Sequence, residues 1–425
     1  MLTTLQNAWK IPELRKKLLF TVLVLLLYRI GNVIPVPYID VTALTTYFDN
    51  VLSNTILGLY NAMSGSAFSQ ATVLALGIQP YINASIIIQL LTVAIPALER
   101  MAKEEGEEGK KKLNMITRYT TVGLGLVMGW AYYTMLSNYG IVTKEGFMPA
   151  MVIILSFTAG SAAVMWLGEQ ITEFGIGNGI SLILFANIVS RFPAMINTMF
   201  HMVWWHVLIV VIGMAALVLF IIFINDAERR IPIQYAKRVV GRKVYGGQNT
   251  HLPIKVSMSG VMPVIFAQSI VSIMPTIFAF TNPKGTSTNG FVQFLINISN
   301  PHSAFYAVCY FVLIFFFGWF YAAIQYDPVE ISNNLKKNGG FIPGFRPGKP
   351  TAEFIQKVIG KIVIFGSVYL SVVALLPIVA GNIMDSVQNL AIGGTSVIIV
   401  VGVALETVKA IEAQMLMRHY KGFLD

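Results

Sequence analysis

The chain has 425 residues, of which 55% are hydrophobic and only 12% charged, with a mean hydropathy of +0.67 and a formal net charge of +10. This is more apolar surface than a soluble core of this length needs, and several long apolar runs make it a polytopic membrane protein. A single cysteine, Cys309, excludes a disulfide framework and a cysteine metal cluster, and its apolar surroundings make it a packing residue.

Met1 to Lys17 is polar and basic, and the apolar run Leu18 to Ile34 has no small-residue cleavage site after it, so it reads as a retained first span. Prolines 35 and 37 enforce an extended exit. Tyr60 to Leu91 follows, and with its flanks it is about twice the length of one crossing, which needs roughly 20 apolar residues. Its first half is small and polar (Asn61, Ser64, Gly65, Ser66, Ser69, Gln70), whereas the second carries Ile86-Ile-Ile88. Polar, non-spanning backbone at membrane depth is tolerated only where protein buries it or water reaches it. The stretch therefore predicts a short half-helix folded into a cavity, then a full spanning helix from Val73 to Ala97. Such an arrangement lines a pore or transport path.

The run Glu99 to Lys112 alternates charge in blocks and predicts a solvated loop. Further spans are expected over Ile116 to Leu136, Met151 to Gly168, Gly179 to Val189, Val207 to Ile224, Ser257 to Phe280, Ala304 to Tyr321, Val358 to Ala380 and Gly393 to Val408, making ten. Gly123, Gly125 and Gly129 are spaced to admit a neighbouring helix closely. Gly175-Ile-Gly-Asn-Gly179 has no Lys after it and no strand before it, so it predicts a tight turn and not a phosphate cradle. Asp226 to Val256 is long and basic, with alternating apolar positions that predict a β-hairpin. Tyr326 to Glu353, dense in Gly and Pro, predicts a presented, non-helical loop. Two such loops on one face make a docking surface, although polybasic segments also bind anionic lipid.

With the N-terminus placed inside and the sides alternating, all but four (Arg29, Lys144, Arg191 and Lys284) of the 30 Lys and Arg fall on inner segments. That bias marks the cytoplasmic side and puts both termini there, so the basic balance reports orientation and not nucleic-acid recognition. No hydrolase, zinc-protease or nucleotide-binding signature occurs, and the five histidines lie in loops or at span ends. No catalytic or metal-binding residue and no cofactor is expected. No Asp or Glu is central to a span, which argues against a proton relay, while sodium coupling through backbone carbonyls stays open. What remains is apolar: Ile78 and Ile82 share one helix face, as do Ile180 and Leu184, and Ile265 and Ile399 could meet them. Rings of aliphatic side chains gate by dewetting. A secondary transporter is the rival reading, and a membrane enzyme a third.

Seven motifs in order, Ala75-Leu-Gly-Ile-Gln-Pro-Tyr-Ile-Asn-Ala-Ser-Ile-Ile-Ile-Gln-Leu-Leu91, Met165-Trp-Leu-Gly-Glu-Gln-Ile-Thr-Glu173, Gly175-Ile-Gly-Asn-Gly-Ile-Ser181, Thr250-His-Leu-Pro-Ile-Lys-Val256, Asn333-Asn-Leu-Lys-Lys337, Pro343-Gly-Phe-Arg-Pro-Gly348 and Gly393-Gly-Thr-Ser396, resemble the signatures of the bacterial SecY family across nearly the whole chain. The resemblance implies an all-α polytopic membrane protein of the plasma (inner) membrane. Its ten transmembrane helices would form two inverted five-helix halves around an hourglass pore. The N-terminal half would be residues 1–192, with a plug half-helix near 56–72, and the C-terminal half 193–425, with cytoplasmic loops 225–256 and 324–357. The implied function is a non-enzymatic protein-conducting channel for secretory preproteins that releases signal sequences and membrane spans laterally into the lipid bilayer.

Ile78, Ile82, Leu184, Ile265 and Ile399 would be the pore ring, with Ile180 and Ser269 beside it. Asn61, Met63, Ser64, Gly65, Ser66 and Phe68 would belong to the plug. Arg238, Arg242, Lys243, Arg346 and Lys349 would meet the SecA motor or the ribosome, with SecE clamping the halves and SecG peripheral. The chain departs from the family pattern at Phe174, where a basic residue is usual, at Ser257, where Asn is common, and at Leu184, which leaves the ring apolar.

Overall fold

A computed structural model describes residues 2–48, 56–103, 105–201, 203–235, 238–240, 243–245, 249–258, 260–281, 303–383 and 394–421. It is helical, with a small amount of sheet. A short helix α1 (Leu2–Lys10) leads into α2 (Pro12–Gly31), α3 (Val41–Tyr47), α4 (Ile56–Ser64), α5 (Gln79–Ala94), α6 (Pro96–Lys103), α7 (Gly106–Asn138), α8 (Phe147–Phe174), α9 (Gly179–Val189), α10 (Phe192–Phe200) and α11 (Trp204–Asp226). Strands β1 (Glu228–Tyr235), β2 (Arg238–Val240), β3 (Lys243–Tyr245) and β4 (Asn249–Lys255) separate these from α12 (Met262–Thr281), α13 (Ala304–Gln325) and α14 (Pro328–Lys337). Strand β5 (Gly340–Phe341) precedes α15 (Lys349–Ile383) and α16 (Gly394–Lys421). A helix occupies each of the ten expected runs. Among the described residues, five helical spans are long and apolar enough to cross a membrane alone, and the bent pair α5 and α6 is so only when its two helices are taken together.

Four expectations need correction. The second span does not run from Val73 to Ala97: its helix starts at Gln79, with Pro80 in the first turn. It stops at Ala94, because Pro96 lacks an N–H and forces the residue before it out of the helical region. Ile95 is accordingly extended (φ −111°, ψ 112°), and α6 leaves at 107° to α5. The charge run from Glu99 to Lys112 is not a plain loop: α6 carries it to Lys103 and α7 takes it up again from Gly106. Lys110 Nζ pairs with Glu107 at 3.5 Å on the surface of α7, and Lys112 Nζ reaches back to Glu105, just before that helix, at 2.9 Å. The fifth span does not end at Val189, since α10 continues it and the two together reach 22 residues. The second cytoplasmic loop is not wholly irregular either. Asp327 caps α14 by accepting from Val329 N (2.8 Å) and Glu330 N (3.3 Å), and Asn333 to Lys337 are helical.

The expected hairpin is present. β1 pairs antiparallel with β4, from Glu228 opposite Lys255 to Gln234 opposite Asn249, and β2 pairs with β3. Ile231 and Ile233 point inward at the strand period of two. β5, from the other long loop, pairs with the far edge of β1, so the two loops share one sheet in the order β4-β1-β5. Under it Ile231, Ile233, Ile254, Leu335, Ile342 and Ile355 form a separate apolar cluster.

The spanning helices repeat one pattern of neighbours. In the first set α5 packs on α7, α7 on α8 and α8 on α9, and α5 also reaches α8. In the second, α12 packs on α13, α13 on α15 and α15 on α16, and α12 also reaches α15. The sets meet where α9 lies against α16 and where α12 lies against α5 and α7. Two of the three α7 glycines permit a close approach: a Cβ on Gly125 would stand 3.0 Å from Ser161 Oγ and one on Gly129 3.2 Å from the Ile154 carbonyl, whereas Gly123 faces open space.

The tightest helix contact lies at Gly160 of α8, where a Cβ would fall 1.8 Å from the Val73 carbonyl oxygen. Backbone cannot rotate away, so Gly160→Ala should cost roughly 1–3 kcal/mol of overpacking, more than the ~1 kcal/mol of helix propensity gained. Purified in detergent, this variant should melt several degrees below the parent, and Gly123→Ala at or above it.

Candidate pore constriction and plug

Ile78 sits at the start of α5, and Ile82 lies one turn on, its N–H donating to the Ile78 carbonyl at 3.1 Å. Leu184 comes from α9, Ile265 from α12 and Ile399 from α16. All five are between 1% and 4% exposed and belong to one apolar cluster that crosses between the two helix sets. Ile180 packs against it half-buried, touching the face of α8 at Gly168. Ser269 is fully buried, and its Oγ accepts from Gln79 Nε2 at 3.2 Å, which joins α5 to α12 beside the ring. Sequence reading did not single out Gln79, although it stands next to Ile78.

The segment expected to be the plug folds back as α4 and then a series of turns. Gly65 and Ser66 adopt φ +68° and +70°, which end the helix and reverse the chain. Side chains lock that reversal: Asn61 Oδ1 accepts from Ser69 N at 2.9 Å, and Ser64 Oγ accepts from Phe68 N at 3.1 Å. Phe68 stacks on Tyr132 of α7 at 4.4 Å between centroids, with Tyr60 edge-on at 5.0 Å. Met63 points the other way, into the cluster that holds the ring. Between Tyr60, Met63 and Ser64 on one side and Ile78 and Leu184 on the other, the void measures about 10 Å³. That is room for one water at most, so α4 packs directly against Ile78 and Leu184. α4 packs on α9 and α12, one helix from each set.

A second residue that the sequence did not expose is Asn187, in an otherwise apolar stretch of α9. Its Nδ2 donates to the Met63 carbonyl at 2.7 Å and to the Tyr28 hydroxyl at 2.8 Å. One amide between Ala186 and Ile188 carries no spacing signal.

On the opposite face Arg346 lies exposed in the turn between β5 and α15, and its carbonyl accepts from Thr351 Oγ1 at 2.8 Å. Lys349, also exposed, opens α15. Arg238 and Lys243 stand on β2 and β3, opposite Tyr245 and Val240. Arg242 lies outside the described residues. Phe174, at the end of α8, is exposed and edge-on to Phe20 at 6.2 Å, an apolar contact where a charge was expected.

A buried aliphatic cluster drawn from both helix sets, with a folded-back segment packed on it and a strapped sheet on the long loops, is the architecture of a multi-pass membrane channel. The family model described as SecY matches residues 72–408. The protein translocase subunit SecY of Streptomyces scabiei is 42% identical over 441 residues, spanning all of both chains, and that of Corynebacterium glutamicum is 42% identical over 447 residues, covering 98% of this chain and 99% of its own. The chain belongs to the SecY family. Among solved structures, "The structure of a protein conducting channel" superposes with a TM-score of 0.67 at 19% identity, covering 94% of this chain and 92% of that one. Sec61 in the canine ribosome-channel complex from the endoplasmic reticulum gives 0.63 at 17% identity, with the same coverage. The fold is therefore that of the protein-conducting channels, and the chain is a non-enzymatic subunit for protein translocation.

Proposed function

We propose that Ile78, Ile82, Leu184, Ile265 and Ile399 are the gasket through which an unfolded secretory chain passes, and that residues 56–72 are the plug above it. The observation that carries this reading is the gathering of five aliphatic side chains from four helices into one buried cluster directly beneath α4. An extended polypeptide of any sequence offers no fixed pattern of groups to recognise. Side chains without hydrogen-bonding atoms can close around it without holding it, and at rest they exclude water and ions. Residues 1–192 and 193–425 are the two halves of the channel. The repeated neighbour pattern of α5–α9 and α12–α16 supports that division. Where α12 lies on α5 and α7, the halves part as a lateral gate that admits signal sequences and membrane spans to lipid. Both termini and the strapped sheet face the cytoplasm of a bacterial plasma membrane, as the Lys/Arg bias supports. There Arg346, Lys349 and the β2–β3 hairpin with Arg238, Arg242 and Lys243 receive the SecA motor or the ribosome. Two of the structural relatives are ribosome-bound channels, which favours such a docking face. SecE clamps the halves and SecG binds at the periphery.

Site-specific crosslinking tests the path. Cys309→Ser removes the native thiol, and single cysteines at Ile78, Ile265 or Ile399 meet a stalled secretory chain carrying one cysteine. Disulfides at all three positions, with none at exposed Leu219 of α11, are expected. A folded, partner-bound channel without crosslinks that moved a small solute in a coupled way would make it a transporter instead. Ile399→Asn puts an amide into the apolar ring at a cost of about 1–3 kcal/mol where it finds no partner. The closed state should loosen, so that precursors with defective signal sequences are exported more readily; unchanged selectivity would remove Ile399 from the ring. Arg346→Glu should slow motor-driven export severalfold while the channel still inserts normally, and export at the parental rate would withdraw the docking role.

A further inference from the structure

The end of the plug helix is held by side chains that the ring does not use. The last carbonyls of a helix have no N–H of the next turn to accept from and must find partners elsewhere. In α4 those of Met63 and Ser64 are met by amides from two other elements. Asn187 of α9 donates to Met63 O at 2.7 Å, and Asn32, just beyond α2, reaches Ser64 O at 3.5 Å. Asn187 is fully buried, and so is Tyr28 of α2, whose hydroxyl takes the other amide proton at 2.8 Å and fixes the orientation of the group. Gly65 completes the arrangement. It sits at φ +68°, and a Cβ there would fall 2.8 Å from Arg29 Nη1 and 2.9 Å from Asn187 Oδ1, so the position demands both the conformation and the absence of a side chain. The Arg29 guanidinium thereby lies at the partially negative end of α4.

We propose that Asn187 is the positioning residue of the plug: a single buried amide that ties the C-terminal end of α4 to α2 and sets it in register with the ring, three residues from Leu184. This rests on the assignment of residues 56–72 as the plug. The contact favours the closed state alone. While the plug is seated, the Met63 carbonyl is buried and Asn187 is its partner, and once the plug leaves, both groups reach water and lose nothing by separating. A passing chain must break this bond, whereas the aliphatic ring has none to break.

Resting ion conductance of the purified channel complex in planar bilayers tests it. Asn187→Leu should raise conductance about tenfold, the effect of leaving one buried acceptor unpaired. Gly65→Ala, which drives a methyl between Arg29 and Asn187, should raise it in the same direction and guards against a folding defect peculiar to the first variant. In a channel lacking residues 61–68 conductance should already be high, and adding Asn187→Leu should change it no further. Leakage without residues 61–68 but none from either point variant would overturn the role of Asn187 and leave the plug intact. A further rise from Asn187→Leu in the plugless channel would show that the residue acts on helix packing and not on the plug. A channel that stays tight without residues 61–68 would refute the plug assignment itself.

Discussion

A wall that must pass every sequence cannot recognise any, and this constraint organises the rest of the molecule. The seal at rest has to be made from side chains without directional bonds, and the proposed ring meets that need with Ile and Leu from α5, α9, α12 and α16, gathered in one buried cluster. Aliphatic contacts are individually weak and depend on close approach. The ring therefore closes only as well as its four helices are held. Gly125, Gly129 and Gly160 bring α7, α8 and the segment at Val73 within backbone distance, and Gly168 lets Ile78, Ile180 and Ile183 pack on α8. Beside this cluster Gln79 Nε2 donates to Ser269 Oγ, a polar bond that crosses the seam between α5 and α12.

An indifferent seal has no means of choosing cargo or of driving it, so both tasks fall to other parts. Under the proposed assignment, selection would fall to polar, directional contacts around residues 56–72: the amide on Met63, the locked reversal at Asn61 and Ser64, and the Gln79–Ser269 bond. Driving falls to whatever binds beyond the helix ends. There the two long loops are tied into one sheet over a private apolar cluster. A strapped platform pays its ordering entropy once, during folding, so a partner that docks on it does not pay again.

The helical plan was legible because apolar length is a strong signal: a helix occupies each of the expected runs. The misreadings share a cause, which is that local chemistry overrode composition. Pro96 ended α5 early although the run stayed apolar. The charge run from Glu99 looked like loop because charge signals solvent, but solvent exposure and helix are compatible. Asp327-Pro-Val-Glu330 is a helix-start signature inside a segment judged by its later Gly and Pro. The ring was legible only in pairs. Ile78 with Ile82, and Ile180 with Leu184, follow from helical spacing, but their meeting with Ile265 and Ile399 is long-range and came from family motifs. Asn187 had neither spacing nor motif. Its meaning lies in Met63 and Tyr28, distant in sequence and adjacent only after folding.

The packing also couples the parts. α12 lies against α4, α5 and α7 at once and carries both Ile265 and Ser269. Its withdrawal from α5 and α7 would open the seam, remove one member of the ring, break the bond to Gln79 and take away one wall of the plug. A ligand that enters between these helices needs no separate mechanism for each barrier. It only has to bind the parted arrangement better than the joined one, since differential affinity is what shifts such an equilibrium. Several contacts of the proposed plug do not involve α12: Asn187 of α9 on Met63, Asn32 on Ser64, and the stacking of Phe68 on Tyr132 of α7. On these assignments the seam and the ring share α12, whereas the segment above them is also held by α2, α7 and α9, so withdrawal of α12 by itself would leave those contacts in place.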